Sequence, residues 1–109
     1  KLKRVERGMA YTIEFAESVK DHFRHLSANQ RVTLLDAIEK QLIHEPLKET
    51  RNRKVLRPNP LAPWELRVGD LRVFYEPGTG EDNEKIIKIL AVGRKEGNRL
   101  IIGGKVVEL

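Results

Sequence analysis

The fold is decided by residues 64–75, WELRVGDLRVFY, which read as two β-strands joined by a tight turn. Apolar and polar residues alternate around Gly69-Asp70, and a glycine in the first position suits a two-residue type II′ turn. That turn places Arg67 directly opposite Arg72. The face with Glu65, Arg67 and Arg72 is then polar, and the other face is apolar, with Trp64, Leu66, Val68, Leu71, Val73 and Tyr75.

The paired arginines need a neutralising partner. Like charges directly opposite each other destabilise a sheet by up to about 1 kcal/mol, so folding alone does not favour the pair. One explanation is a bound anion such as a phosphodiester, because arginine forks contact phosphate oxygens bidentately. The other is a surface ion-pair network in which Glu65 neutralises Arg67 and Arg72.

Composition indicates one soluble domain. The chain has 109 residues, 39% hydrophobic and 34% charged, and residues 1–8 read as an extension before a domain at 9–109. No apolar run of 18 residues or apolar signal core occurs, so we expect a cytoplasmic protein without a membrane span. The absence of cysteine excludes disulfides and thiolate sites. The net charge of +5 favours a polyanionic partner, or else only maintains solubility.

The pattern along the first half of the chain predicts an α+β fold. Residues 11–15 alternate like a strand, residues 16–26 carry apolar side chains at helical spacing, and Ser27 with Gln30 forms a capping box that opens a second helix. The helical hairpin would cover one face of an antiparallel sheet of four or five strands. The second helix is expected to bury Val32, Leu34, Leu35, Ile38 and Leu42.

The second half supplies the remaining strands. Residues 45–63 read as a proline-rich basic connection with a short strand at 54–56. Residues 85–92 are a nearly unbroken apolar run, which is typical of a central strand. The tail at 100–109 is compatible with a final hairpin or with the start of a short helix.

The polar face has the groups that metal-free RNA cleavage needs. Attack by the ribose 2′-hydroxyl requires a base, cations on the phosphate and an acid for the leaving oxygen. Glu65 is the candidate base and Lys95 or a water is the candidate acid, with Arg67 and Arg72 on the phosphate. The candidate contacts to the rest of an RNA strand are Arg53, Lys54, Arg57 and Arg94.

No cofactor or metal is expected. His22 and His25 are three residues apart, but a third ligand has no evident source, which favours surface histidines. No phosphate-binding glycine motif occurs, so nucleoside triphosphate chemistry is not expected. Trp64 and Tyr11 could stack on bases, although core packing is the commoner role of such residues.

Residues 64–75, together with the later run ILAVGRK at 89–95, resemble the RelE/ParE superfamily of bacterial toxins from type II toxin–antitoxin systems. The resemblance extends from Tyr11 to Lys95 and includes the order strand, two helices, antiparallel strands. It implies a RelE-like fold and a basic toxin that an acidic antitoxin silences in a hetero-oligomeric complex. RelE-like members cut messenger RNA on the ribosome, whereas ParE-like members poison DNA gyrase.

The resemblance also implies residue roles. Arg72 matches the family arginine that stabilises the transition state, and Arg67 matches one of two basic positions on the preceding strand. Lys95, or Arg94 next to it, matches the late basic position. Glu65 stands at the other basic position, and Ile101 stands where RelE-like enzymes keep a tyrosine. The favoured interpretation is an endoribonuclease toxin that acts on mRNA and the ribosome. The alternatives are a gyrase inhibitor and a noncatalytic member that only binds antitoxin.

Overall fold

The chain folds into two helices and seven strands, which a computed structural model describes over residues 10–109. The expected extension at residues 1–8 lies outside the described residues. The helices are α1, Val19–Arg24, and α2, Ala28–Leu42. The strands are β1, Thr12–Phe15; β2, Arg53–Val55; β3, Trp64–Val68; β4, Leu71–Thr79; β5, Lys85–Glu96; β6, Arg99–Ile102; and β7, Lys105–Val107.

All seven strands belong to one sheet, in the order β2-β3-β4-β5-β6-β7, with β1 paired to β5. The α+β class and the mostly antiparallel pairing are as predicted, but the expected count of four or five strands is wrong. The reason is the length of β5, whose twelve residues pair with β1 near one end and with β6 near the other. The β1–β5 pair is parallel, which the long helical connection after β1 permits.

The central hairpin has the predicted register. Arg67 pairs with Arg72 and Leu66 pairs with Val73 across β3 and β4. Gly69 has a φ of +60°, whereas Asp70 is not among the residues with positive φ, as in a type II′ turn. The turn therefore fixes which side chains share a face.

The capping box at the start of α2 is confirmed. Ser27 Oγ accepts a hydrogen bond from the Gln30 N–H at 3.1 Å, and Gln30 Oε1 accepts one from the Ser27 N–H at 2.9 Å. The first helix is shorter than the predicted 16–26, because the Ala16 N–H still donates to the Ile89 carbonyl and so continues the pairing of β1. Both helices pack on the same face of the sheet.

The fully buried residues of α2 form one line, and Ala37 beside it is partly buried against the same core. Leu34, Ile38 and Leu42 are buried, at the i, i+4, i+8 spacing of one helix face. The expectation that Val32 and Leu35 are buried is wrong, since they are 66% and 47% exposed. They lie off that line, because α2 contacts the sheet along a narrow stripe.

The predicted apolar face of the hairpin packs beneath the helices. Trp64 stacks on Tyr75 with ring centroids 5.9 Å apart, and the buried Tyr75 hydroxyl donates to the Pro46 carbonyl at 2.7 Å. Burial raises the pKa of Tyr75 above its ordinary value. Trp64 and Tyr11 both pack against this core, so they take the structural role.

The tail forms a hairpin and not a helix. Strands β6 and β7 join at Gly103 and Gly104, whose φ values of +60° and +79° suit a two-residue type I′ turn. Leu100, Ile102 and Val107 pack with Phe74 and Ala91 in a second apolar cluster on the other face of the sheet. The hairpin thus covers part of the face that carries the arginines.

Candidate functional site

Glu65 lies at the centre of the polar face. Its side chain is 9% exposed, and Oε2 accepts a hydrogen bond from Arg67 Nε at 2.6 Å. Its other oxygen, Oε1, is 4.0 Å from Arg72 Nε. One buried carboxylate therefore faces both guanidinium groups, and the ion-pair network considered from the sequence is present.

This arrangement explains why the fold tolerates the arginine pair. A hydrogen bond to a charged group contributes about 1.5–3 kcal/mol, whereas the cross-strand repulsion costs up to about 1 kcal/mol. The contact between Glu65 and Arg67 therefore outweighs the repulsion between Arg67 and Arg72. Neutralisation by Glu65 does not remove the site for an anion, however, because each guanidinium uses only part of its donors internally.

Arg72 is held by the backbone of its own turn. Its Nη1 donates to the carbonyls of Gly69 at 2.7 Å and Leu71 at 2.8 Å. Its Nε faces Glu65, and within residues 10–109 no hydrogen bond is formed by Nη2. Arg67 is bonded through Nε alone and is half exposed. Both forks are anchored on one edge and keep N–H groups for a ligand.

These side chains line one open groove of about 460 Å³, here called the arginine groove. Glu65, Arg67, Arg72 and Lys95 line it from strands β3 to β5. The other lining residues come from the β6–β7 hairpin and the residues around it: Asn98, Arg99, Leu100, Val106, Val107, Glu108 and Leu109. Cationic and aliphatic side chains line the same groove, which suits a ligand with an anionic and an apolar part.

Gly93 allows the hairpin to lie close over β5. It is the cross-strand partner of Arg72, and a Cβ at this position would lie 2.3 Å from the Ile101 carbonyl oxygen. A Cβ would also lie 2.8 Å from Ile102 Cγ1. No other residue fits without a shift of the β6 backbone, so Gly93 allows the close approach of β6 to β5 beside the groove.

The structure brings together all four candidate catalytic residues. Glu65, Arg67, Arg72 and Lys95 line the same groove, although Lys95 comes 30 positions after Glu65 in the chain. Among the candidate RNA contacts, Lys54 lies beside this group, as the cross-strand partner of Glu65.

The other three candidate contacts are not in the arginine groove. Arg53 is buried on the helix side, where it donates to the carbonyls of Lys48 and Gln41 and to Gln41 Oε1. Arg94 also lies on that side, with Nε on Glu96 Oε2 and Nη1 on the His25 carbonyl. Side chains alternate between the two faces along β2 and β5, so both arginines are directed to the helix side and away from the groove. Arg57 lines a separate groove in the proline-rich connection.

Sequence reasoning missed the groove residues that follow Lys95. Asn98 lies in the turn between β5 and β6 and Arg99 begins β6, so their contribution required the path of these strands to be known. Glu108 follows an apolar strand and carries no motif of its own. The sequence feature that pointed to this part of the groove was the adjacent pair Gly103-Gly104, which is typical of a hairpin turn that returns the chain toward the sheet.

His22 has a structural role. Its Nδ1 lies 3.4 Å from the Val92 backbone N–H, and desolvation by burial lowers the pKa of His22 below its ordinary value, against the opposing effect of Asp21. Residues 10–109 contain no cluster of three potential metal ligands. His22 is partly buried at this contact and His25 is exposed, so only His25 is the surface histidine that the sequence predicts.

The chain matches a known protein family over most of its length. A model of the ParE toxin of the type II toxin–antitoxin system parDE matches residues 10–99, which include both helices and the central hairpin. A comparison with curated proteins gave no match. Neither described helix is long and apolar enough to span a membrane. The chain therefore belongs to the ParE toxin family, within the RelE/ParE superfamily of type II toxins, and that membership implies an antitoxin partner.

Proposed function

We propose that this toxin inhibits translation as a metal-independent endoribonuclease that cuts messenger RNA on the ribosome. One observation carries the proposal: Arg67 and Arg72 lie side by side, each anchored on one edge, with free N–H groups at a groove that also holds Lys95. Two anchored guanidinium groups on neighbouring strands suit the oxygens of a phosphodiester and would stabilise the charge that develops on it during attack.

The proposed reaction is transfer of the phosphodiester to the neighbouring 2′-hydroxyl. The 2′-oxygen attacks phosphorus, the bond to the 5′-oxygen breaks, and the products are a 2′,3′-cyclic phosphate and a 5′-hydroxyl. Arg67 and Arg72 hold the nonbridging oxygens, and Lys95 donates a proton to the leaving 5′-oxygen. The aliphatic residues of the groove accommodate a nucleoside beside the phosphate.

The decisive experiment is a translation assay with purified ribosomes and a defined messenger. Primer extension maps new 5′ ends for the wild type, for Arg72→Ala and for Arg24→Ala. Arg24 is an exposed arginine on α1, so its variant removes the same charge from the helix side of the sheet. We expect cuts at A-site codons with the wild type and the control and none with Arg72→Ala. An intact messenger with active wild-type toxin would contradict the proposal.

Inhibition of DNA gyrase is the second candidate. The match to a ParE toxin model favours it, as does the isoleucine at position 101, which is buried and lies outside the arginine groove. A gyrase inhibitor would block supercoiling by purified gyrase and would remain toxic after replacement of both Arg67 and Arg72 by alanine. The two assays therefore separate the candidates.

The antitoxin is proposed to use the same charged face. The basic groove is complementary to an acidic segment, and occupation of Arg67 and Arg72 would block RNA. Mixing the toxin with an acidic antitoxin peptide should protect the messenger in the assay above. Protection that is lost at high salt would support charge pairing as its basis.

A further inference from the structure

A line of four cations crosses the face of the sheet that carries the arginine groove. Lys95 on β5, Arg72 on β4 and Arg67 on β3 line the groove itself. Lys54 on β2 pairs directly with Glu65 and therefore lies on the same face. Four neighbouring strands thus each contribute a cation to this face.

The line runs diagonally across the strands. Arg67, Arg72 and Gly93 form one cross-strand row. Lys95 lies two residues to one side of this row, and Lys54 lies two residues to the other side. With strands about 4.8 Å apart and residues about 3.4 Å apart along each strand, the Cα atoms of Lys95 and Lys54 are about 20 Å apart. One phosphate cannot contact both ends of this line, whereas a chain of successive phosphates can follow it.

The proline-rich connection after β2 continues the charged surface. Leu56 and Ala62 pack with Phe74, which pairs with Glu65 and so belongs to the face of the arginine groove. An open groove of about 390 Å³, here called the Arg57 groove, is lined by Leu56, Arg57, Pro58, Asn59 and Leu109. Leu109 also lines the arginine groove, so the two grooves meet at this residue.

Asn59 holds the backbone around Arg57 in place. Its Nδ2 donates to the carbonyls of Arg57 at 2.7 Å and Ala62 at 2.9 Å. Its Oδ1 accepts from the N–H groups of Leu61 at 2.8 Å and Ala62 at 3.0 Å. The side chains of Arg57 and Lys54 form no hydrogen bond or ion pair in the described part of the chain, residues 10–109. A free cation on a preorganised loop binds an anion at a low cost in conformational entropy.

We propose that the Arg57 groove is a second RNA subsite, which binds a nucleotide that flanks the cleaved phosphodiester. The phosphate of that nucleotide contacts Arg57, and its sugar and base lie against Leu56 and Pro58. The RNA strand runs from the arginine groove past Lys54 to this subsite. The inference rests on the proposed function, and it makes the substrate an extended single strand of several nucleotides.

Binding of unreactive oligonucleotides of two lengths tests the subsite. The probes are a 2′-O-methyl uridine octamer and the corresponding dinucleotide, which lack the attacking hydroxyl, and NMR titration gives both Kd values. Arg57→Ala should weaken octamer binding about threefold to tenfold and lower the slope of log Kd against log salt by about 0.7, as for one lost phosphate contact. The dinucleotide is too short to reach both grooves, so its Kd should not change.

Three further variants complete the binding experiment. Lys54→Ala should resemble Arg57→Ala, because Lys54 lies on the path of the longer strand alone. Arg72→Ala should weaken binding of both probes, because it removes a contact in the arginine groove. Arg24→Ala is the matched control, since it removes one exposed arginine from the helix side and should leave both Kd values at those of the wild type.

Cleavage on programmed ribosomes gives an independent measure. Arg57→Ala should raise KM for the messenger by about the factor seen with the octamer and leave kcat unchanged, because the residue contacts RNA away from the reacting phosphate. Arg72→Ala should instead lower kcat. The two variants therefore separate binding of the flanking nucleotide from the reaction itself.

Two results would overturn the subsite. One is an octamer that does not bind the wild type, and the other is an octamer that binds Arg57→Ala and Lys54→Ala as tightly as it binds Arg24→Ala. Either result would leave the ribonuclease proposal standing if the wild type still cuts the messenger. If octamer binding depends on Arg57 but the messenger stays intact, the ribonuclease proposal fails while the RNA subsite stands.

Discussion

The backbone N–H of Val92 donates to His22 Nδ1 at 3.4 Å, at the point where β5 changes its neighbour. Residues up to Ile89 pair with β1, and residues from Arg94 pair with β6. The Val92 N–H lies between these two ladders, and among residues 10–109 no strand pairs with it on that edge. A side chain of α1 therefore supplies the acceptor that the sheet lacks.

This contact predicts a dependence of stability on pH. The pKa of His22 is lowered in the folded protein, so the unfolded chain binds more protons as the pH falls through the ordinary value of about 6.5. The His22 contribution is complete above that value and is lost as the pH falls through the folded pKa. The free energy of unfolding, measured by urea at pH 5 to 7.5, should decrease toward acid.

In His22→Asn the free energy of unfolding should depend less on pH. The asparagine amide does not titrate, and its oxygen can accept a hydrogen bond from the Val92 N–H. His44 is exposed and serves as the control, so His44→Gln should retain the wild-type slope. Two charged or titratable neighbours also act on His22: Asp21 raises the pKa of His22 and His25 lowers it. A wild-type slope in His22→Asn would assign the pH dependence to other groups.

Replacement of Gly93 by alanine should lower the free energy of unfolding of the protein and displace β6. The new methyl group would lie 2.3 Å from the Ile101 carbonyl oxygen, and overpacking of this kind costs about 1–3 kcal/mol. Gly78→Ala is the matched control in β4, where a Cβ meets no heavy atom within 4 Å. Urea unfolding compares the two, and amide spectra should show shifts in β6 and β7 for Gly93→Ala alone. Equal stability of both variants would disprove the close approach.

Replacement of Arg53 by alanine should lower the free energy of unfolding, whereas the same change at Arg57 should leave it nearly unchanged. Arg53→Ala removes three hydrogen bonds from a buried guanidinium and leaves carbonyl oxygens without their donor, at a cost of about 1.5–3 kcal/mol. Arg57 is exposed in the connection between β2 and β3, so Arg57→Ala should change the free energy of unfolding by less than about 0.5 kcal/mol. Thermal or urea unfolding decides the comparison. A larger effect at Arg57 would contradict the placement of Arg53.

Adjacent leucines in α2 should respond very differently to truncation. Leu34 is fully buried, so Leu34→Ala should cost about 2–5 kcal/mol, as large-to-small core substitutions do. Leu35 is 47% exposed, so Leu35→Ala should change stability by about 0.5 kcal/mol or less. Similar losses for both variants, measured by urea unfolding, would mean that α2 is rotated about its axis relative to this description.

Local patterns in the sequence predicted the local structure well. The register of β3 and β4 follows from a two-residue turn, and the capping box at Ser27 involves residues three apart. Both are determined by neighbouring residues alone, so no knowledge of the tertiary structure was needed. The pairing of Arg67 with Arg72, the centre of the candidate site, was predictable for the same reason.

Features that depend on distant residues were not predictable in this way. The helical spacing in α2 was equally compatible with burial of Leu34 or Leu35, and only the position of the helix on the sheet decides between them. The seven-strand count required knowing that β5 has different neighbours along its length. Likewise, alternation in the sequence could not show that the Arg53 guanidinium donates hydrogen bonds to Gln41 and Lys48.

The parallel pairing of β1 with β5 has a consequence for synthesis of the toxin. Thr12 also hydrogen-bonds to Glu84, 72 positions later in the chain. On the ribosome, β1 and the helices emerge long before their central partner, and contacts this distant in sequence slow folding. The first strand finds its partner only after β5 has been made, and the residues that line the arginine groove extend to Leu109. The sheet and the groove are therefore completed only when most of the chain has been synthesised.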